Sequence, residues 1–268
     1  MKNDYARRQI RLLKGKCTPR QGMSFGQLSH DVCRALAERR CDIVQLKTLH
    51  ILPDDVLLEI FNFLLMTWFG LHGRIRGWQV LTHVCRRWRS VVFQSPRRLN
   101  LRILCTPKTP ARDALDLWPP LPLVIYDPRG IPKHTSGLDN ILAALEHNYR
   151  ACQIDLRYLT SSQLGHVTNS AAIQESFPEL TDLRLRILLD DKSRPILPDS
   201  FLGGTAPRLR SLNLYDVPFP GLPKLLLSTT QLVNLDLYCI PHSGYIPPEV
   251  MATTLSALTS LDSLRLHF

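Results

Sequence analysis

The sequence predicts an α+β chain in which an N-terminal helical unit precedes a short, irregular α/β solenoid. Three observations carry this prediction. Two stretches between residues 52 and 92 place apolar residues at helical spacing, prolines crowd residues 107–132, and beyond them one leucine phrase recurs at near-regular intervals. With 268 residues, 44% hydrophobic and 21% charged, the chain has the apolar material for one or two packed domains, which excludes wholesale disorder.

Residues 1–28 are basic, carry Gly15, Pro19, Gly22 and Gly26 with little periodicity, and read as a mobile arm. Residues 29–106 form the helical region. Val32, Leu36, Val44 and Leu46 make a weak stripe at its start. A stronger helix opens at Leu52-Pro53-Asp54-Asp55, where proline gives up an amide that would have had no partner and two carboxylates face the positive end of the helix dipole. Leu57, Ile60, Phe61 and Leu64 follow at i, i+3, i+4 and i+7. After Gly70, Gly73 and Gly77, the residues Leu81, Val84, Cys85, Trp88, Val91 and Val92 predict one further helix, ended by Ser95-Pro96.

Residues 107–135 read as a proline-rich connector, with Leu121–Tyr126 as its candidate strand and the domain boundary near Thr106. In residues 136–268 the phrase LxxLxL begins at Leu180, Leu209, Leu232 and Leu261, and Ile154-Asp155-Leu156 keeps its second half. Core positions 154, 183, 212, 235 and 264 are spaced by 29, 29, 23 and 29 residues, the period of leucine-rich repeats with one strand per unit. Alternation turns the leucines inward and sends two columns to the open, concave face. One holds Asp155, Arg184, Asn213, Asp236 and Arg265; the other holds Arg157, Arg186, Tyr215, Tyr238 and His267. Tyrosine and arginine in this setting suit protein recognition, so Arg184, Arg186, Asn213, Tyr215, Asp236, Tyr238, Arg265 and His267 are the residues expected to bind a protein partner.

The segment Leu52-Pro53-x-x-Val56-Leu57-x-x-Ile60-Phe61-x-x-Leu64, followed by Leu81-x-x-Val84-Cys85-Arg86-Arg87-Trp88-Arg89-x-Val91, resembles an F-box across residues 49–98. With the downstream repeats, the chain looks like an F-box protein of the leucine-rich-repeat type. The resemblance implies a three-helix module that docks on the Skp adaptor of a cullin-based (SCF) ubiquitin ligase, and repeats that hold a protein substrate for ubiquitination and proteasomal degradation. It implies adaptor contact at Leu52, Pro53, Val56, Leu57, Ile60, Leu64, Leu81, Val84, Cys85 and Trp88, with Ile60, Phe61 and Val84 expected to contribute to the module's own core. Two departures stand out. The loop from Trp68 to Gly77 is long for the family, and the Asn or Cys that regular repeats place three residues after the last core leucine is replaced by Leu188, Val217 and Ile240. The last phrase runs to Phe268 without a polar capping unit, so either an edge covered from elsewhere or a truncated sequence is expected.

Charge and chemistry narrow the alternatives. The net charge of +10 resides in the first hundred residues: 11 Lys/Arg against 4 Asp/Glu in residues 1–50, 7 against 3 in residues 51–100, and 15 against 16 beyond. Arg74, Arg76, Arg86, Arg87 and Arg89 are therefore expected as a polar rim toward an acidic adaptor surface. Seven cysteines without a CxxC pair, no glycosylation sequon and no apolar leader point to an intracellular location, cytoplasm or nucleus. The longest apolar run, residues 57–69, falls short of the roughly 20 residues of a membrane span. Gly22-Met23-Ser24-Phe25-Gly26 matches G-x-S-x-G but follows no buried strand, so neither catalysis nor a cofactor is expected, and no metal-ligand spacing occurs. The alternative is a nucleic-acid-binding or scaffolding role through Arg7, Arg8, Arg11, Lys14, Lys16 and Arg20; the arm has few aromatics for stacking and no reading module, which argues against it.

Overall fold

The structure, a computed structural model, describes residues 52–68, 77–127, 136–187 and 194–267. They fall into two compact units, one ending at Leu101 and one beginning at Arg102. The basic arm, the stripe of residues 29–49, the motif around Ser24 and the loop of residues 69–76 lie outside the described residues.

The first unit contains α1 (Asp54–Trp68), α2 (residues 77–82) and α3 (Arg86–Gln94). Its start follows from proline chemistry: the Pro53 carbonyl accepts the amides of Val56 and Leu57, each at 3.1 Å, and Asp54 and Asp55 occupy the first turn. Leu57, Phe61 and Leu65 are fully buried along one stripe of α1. Trp88 on α3 meets Phe61 with ring centroids 4.6 Å apart, and Val91 and Val92 are buried beside it in sequence.

The single helix expected over residues 81–92 is two helices. The amides of His83 and Val84 close a turn onto the carbonyls of Val80 and Leu81, Cys85 is extended at φ −158° and ψ 169°, and α3 starts anew when the Arg89 amide reaches the Cys85 carbonyl at 3.1 Å. Apolar spacing survives such a break because two short helices with a one-turn interruption keep nearly the same phase. Val84, expected in the core, lies in this turn and is 38% exposed.

The second unit is mixed α/β, built on a seven-stranded parallel sheet whose strands follow chain order. They are β1 (Ile103–Cys105), β2 (Leu123–Asp127), β3 (Ala151–Leu159), β4 (Asp182–Ile187), β5 (Ser211–Tyr215), β6 (Asn234–Tyr238) and β7 (Ser263–His267). Crossovers carry α4 (Ala111–Ala114), α5 (Ser136–Leu145), α6 (Ser161–Asn169), α7 (Ala171–Gln174), α8 (Leu222–Leu227) and α9 (Pro248–Ala257). The α6 start is a complete capping box: Thr160 and Gln163 each accept the other's backbone amide through their side chains.

The proline-dense segment is therefore not only a connector. Residues 102–127 supply the first two strands, and the sheet begins before the boundary expected near Thr106. Proline is accommodated because it flanks the strands: Pro122 precedes β2 and its carbonyl receives the Ile103 amide at 2.8 Å, while the Pro107 carbonyl after β1 receives the Asn140 amide nitrogen at 2.8 Å. Residues 128–135 lie outside the described residues.

Strict alternation places Leu183, Leu185, Leu212, Leu214, Leu235 and Leu237 in the core, all nearly inaccessible, at about 1.5–3 kcal/mol of burial each. At the end strand the equivalent Leu264 and Leu266 are 43% and 37% exposed. Among the described residues no helix is long and apolar enough to cross a membrane.

The turn after the strand also recurs. Four residues beyond the core position, Tyr158, Asp216 and Cys239 adopt left-handed backbone at φ 61°, 60° and 51°. The amides of Asp216 and Cys239 then reach the carbonyls of Tyr238 and His267, the last residues of the next strands. The polar turn position thus sits one residue earlier than Val217 and Ile240; Leu188 lies outside the described residues. Asp216 is buried and paired with Arg194 at 2.7 Å.

Candidate functional site

Parallel register without slippage from β4 to β7 sets Arg184, Asn213, Asp236 and Arg265 side by side, and beside them Arg186, Tyr215, Tyr238 and His267. All eight expected substrate-binding residues lie on one face of the sheet, and all are at least partly exposed. A further row, Gln153, Asp182, Ser211, Asn234 and Ser263, borders them with smaller polar groups. The face is consequently graded, from short polar residues at the strand starts to rings at the strand ends.

The rings form a continuous stack. The Arg186 guanidinium carbon lies 4.9 Å from the centroid of Tyr158 and 4.3 Å from that of Tyr215, so the cation is sandwiched. Tyr215 and Tyr238 follow at 6.3 Å with 27° between planes, and Tyr238 and His267 at 6.3 Å with 31°. A hydrogen bond with Cys239, reinforced by the charge of that thiol and by burial, raises the Tyr215 pKa, while Arg186 acts in the opposite sense. On the neighbouring strand a hydrogen bond with Tyr238, then the charges of Tyr238 and Asp236, hold the Arg265 guanidinium firmly protonated.

Arg157 does not occupy the place in this column expected for it. The β3–β4 register shifts between Leu156 and Leu159, and the left-handed Tyr158 brings its own ring to Arg186. Arg157 turns instead to Asp155, a fully buried carboxylate, with both of its oxygens held at 2.7 and 2.8 Å. Tyr158 is the site residue that sequence reasoning missed; the partner spacing drops from 29 residues at Leu156–Leu185 to 28 at Leu159–Ile187, a change that the interval between core positions 154 and 183 does not register.

In the first unit the ten expected adaptor residues divide. Leu52, Leu57, Ile60 and Leu81 are buried; Val56, Leu64, Cys85 and Trp88 are half-buried; Pro53 and Val84 are exposed. Arg87 joins the starts of α1 and α3 by donating to the Leu52 carbonyl and to Asp54 Oδ1 at 2.7 Å. Pro53, Val84 and Cys85 are thereby gathered at one end of the helical unit. Phe93, absent from the expected set, is also exposed, its ring 6.0 Å from that of Trp78.

No family model, curated protein or solved structure matches this chain. The two faces must therefore be read from their own chemistry.

Other reactive groups are placed differently. Cys105 and Cys152 are buried free thiols; burial pushes the Cys105 pKa up to about 12 against the pull of Arg150, and raises that of Cys152, whose sulfur donates to the Leu123 carbonyl at 3.2 Å. On the helical side of the sheet a cleft of about 650 Å³ is lined by Arg112, Asp139, Asn140, Glu146, His166 and Asn169, and its charges partly satisfy one another through Arg112–Glu146 at 3.5 Å. Neither feature aligns with the two faces above.

Proposed function

We propose that the chain is a non-catalytic substrate receptor of an SCF-type ubiquitin ligase. Its helical unit acts as an F-box on the Skp adaptor, and its sheet unit acts as an irregular leucine-rich-repeat solenoid that holds a protein substrate inside the cell. The observation that carries the reading is the division of the motif residues in the first unit. Leu57, Ile60 and Leu81 are consumed by packing, whereas Pro53, Val84, Cys85 and part of Trp88 remain accessible where Arg87 ties α1 to α3. Apolar groups held at a rigid helix junction suit a protein partner. The in-register face of arginines and tyrosines supports a second protein contact in the other unit.

The mechanism is proximity. Holding substrate and ligase on one chain converts an encounter in solution into an intramolecular one, raising the effective concentration of a substrate lysine near the ubiquitin donor. No cofactor enters. The test is co-purification of the full chain with the Skp adaptor, comparing wild type with Val84→Asp combined with Trp88→Ala. Loss of the adaptor with an unchanged circular dichroism spectrum is the expected result; undiminished adaptor binding by the double variant overturns the reading.

A further inference from the structure

We infer that Ser95 accepts a phosphoryl group from a protein kinase whose site reads a proline directly after the acceptor and a basic residue three places after it. The inference goes beyond the adaptor and substrate reading and does not rest on it.

The pattern is Ser95-Pro96-Arg97-Arg98. A proline after the acceptor removes one amide donor and biases the acceptor toward extended backbone, the form in which a kinase cleft takes its substrate. Ser95 has already left helical backbone: it caps the C-terminus of α3 at φ −128° and ψ 47°. No residue from Phe93 to Arg98 is buried, and Phe93, Gln94, Arg97 and Arg98 are exposed. Among the described residues the Ser95 hydroxyl engages no hydrogen-bond partner, so its oxygen and its proton are both available for reaction.

What holds the segment is slight. The Ser95 amide donates to the Val92 carbonyl and its carbonyl accepts the Leu99 amide, both at 3.2 Å. Bonds at a helix end open locally without unfolding of the whole unit. Arg98 donates to Glu59 Oε1 at 2.7 Å, but the two side chains are 47% and 53% exposed, and an ion pair so open to water releases its guanidinium with little loss.

The same pattern occurs a second time, in Thr109-Pro110-Ala111-Arg112, and there the fold withholds it. The Thr109 hydroxyl receives the Thr106 amide at 2.9 Å and pairs with the Thr106 hydroxyl at 3.1 Å. The Thr109 amide closes a turn on the Thr106 carbonyl at 2.8 Å, and Ala111 is fully buried. Geometry separates two sites that the motif alone treats as equal.

In the transfer, the Ser95 oxygen bonds to the γ-phosphorus of ATP, the bond from that phosphorus to the bridging oxygen breaks, ADP leaves, and the hydroxyl proton passes to a base of the kinase. The product carries about −1.5 to −2 charges next in sequence to Pro96-Arg97-Arg98, which offsets the positive charge of that corner.

The test incubates the full chain with Mg²⁺–ATP and a purified cyclin-dependent kinase, which reads this pattern, and follows each site by mass spectrometry of proteolytic fragments. Phosphate on Ser95 should appear at least about tenfold faster than on Thr109, whose hydroxyl must first give up two hydrogen bonds. Arg98→Gln removes the basic residue of the pattern and should slow phosphorylation of Ser95 by about tenfold while leaving Thr109 unchanged. Ser95→Thr, which retains a hydroxyl, should keep the phosphate, and Ser95→Ala should lose it. No phosphate on Ser95, faster phosphorylation of Thr109, or a Ser95 rate indifferent to Arg98→Gln would each overturn the proposal. No adaptor is present, so the outcome is independent of the adaptor-binding test.

Discussion

Cys105 illustrates what burial does to a single reactive group. The thiol lies in β1, inaccessible, and desolvation lifts its pKa from 9.0 to about 12. Its folded-state pKa exceeds the unfolded one, so the contribution to stability is fully present below pH 9 and is lost as pH rises toward 12, where the unfolded chain releases a proton that the folded chain keeps. Urea midpoints measured at pH 8 and pH 10.5 should fall more steeply for the wild type than for Cys105→Ala, whatever the offset between the two proteins at pH 8. At the same scale, Asp155 shows why a charged residue in an exposed column can have a structural duty. Alternation alone put it on the open face; two bonds from Arg157 keep it inside, and Arg157 is withdrawn from the exposed column to serve there. That exchange could not be read from spacing, because it depends on a bulge and on Tyr158 accepting a left-handed backbone.

At the level of elements, α3 begins under poor conditions. Cys85 stands at its N-cap with extended backbone and no side-chain acceptor, and the following turn carries Arg86, Arg87 and Arg89, which oppose the helix dipole. Cys85→Asp should supply both the acceptor and the missing negative charge and stabilise the protein by about 0.5–2 kcal/mol, read as a raised thermal midpoint. Because Cys85 is also one of the accessible motif residues, the same change should weaken adaptor binding, separating stability from function at one position. The break before α3 was concealed in the sequence by the regular apolar stripe from Leu81 to Val92. The repeats were legible for the opposite reason: in a strand of period two, each leucine that turns inward fixes the orientation of its neighbours, so the whole set from Arg184 to His267 could be placed from five core positions. β1 escaped notice because it is three residues long and carries no leucine phrase.

On the scale of the whole chain, positive charge is unevenly divided: the excess lies in residues 1–100, while the portion with the sheet is close to neutral. The sheet itself is uneven along its length. Its central strands are paired on both sides, whereas β7 has one neighbour and two partly exposed core leucines. Amide hydrogen exchange should therefore be at least about tenfold faster in β7 than in β4 and β5, measured by mass spectrometry on proteolytic fragments.

The chain-order pairing of the strands has a consequence for how such a face can change. Arg184 meets Asn213, Asn213 meets Asp236 and Asp236 meets Arg265, each neighbour one unit along the chain. Lengthening a crossover leaves every other strand in place, and replacing one unit substitutes one rung of the ladder while its neighbours keep theirs. The exposed face can then be altered a unit at a time, as a word is altered by changing one letter, with the leucines behind it unaffected.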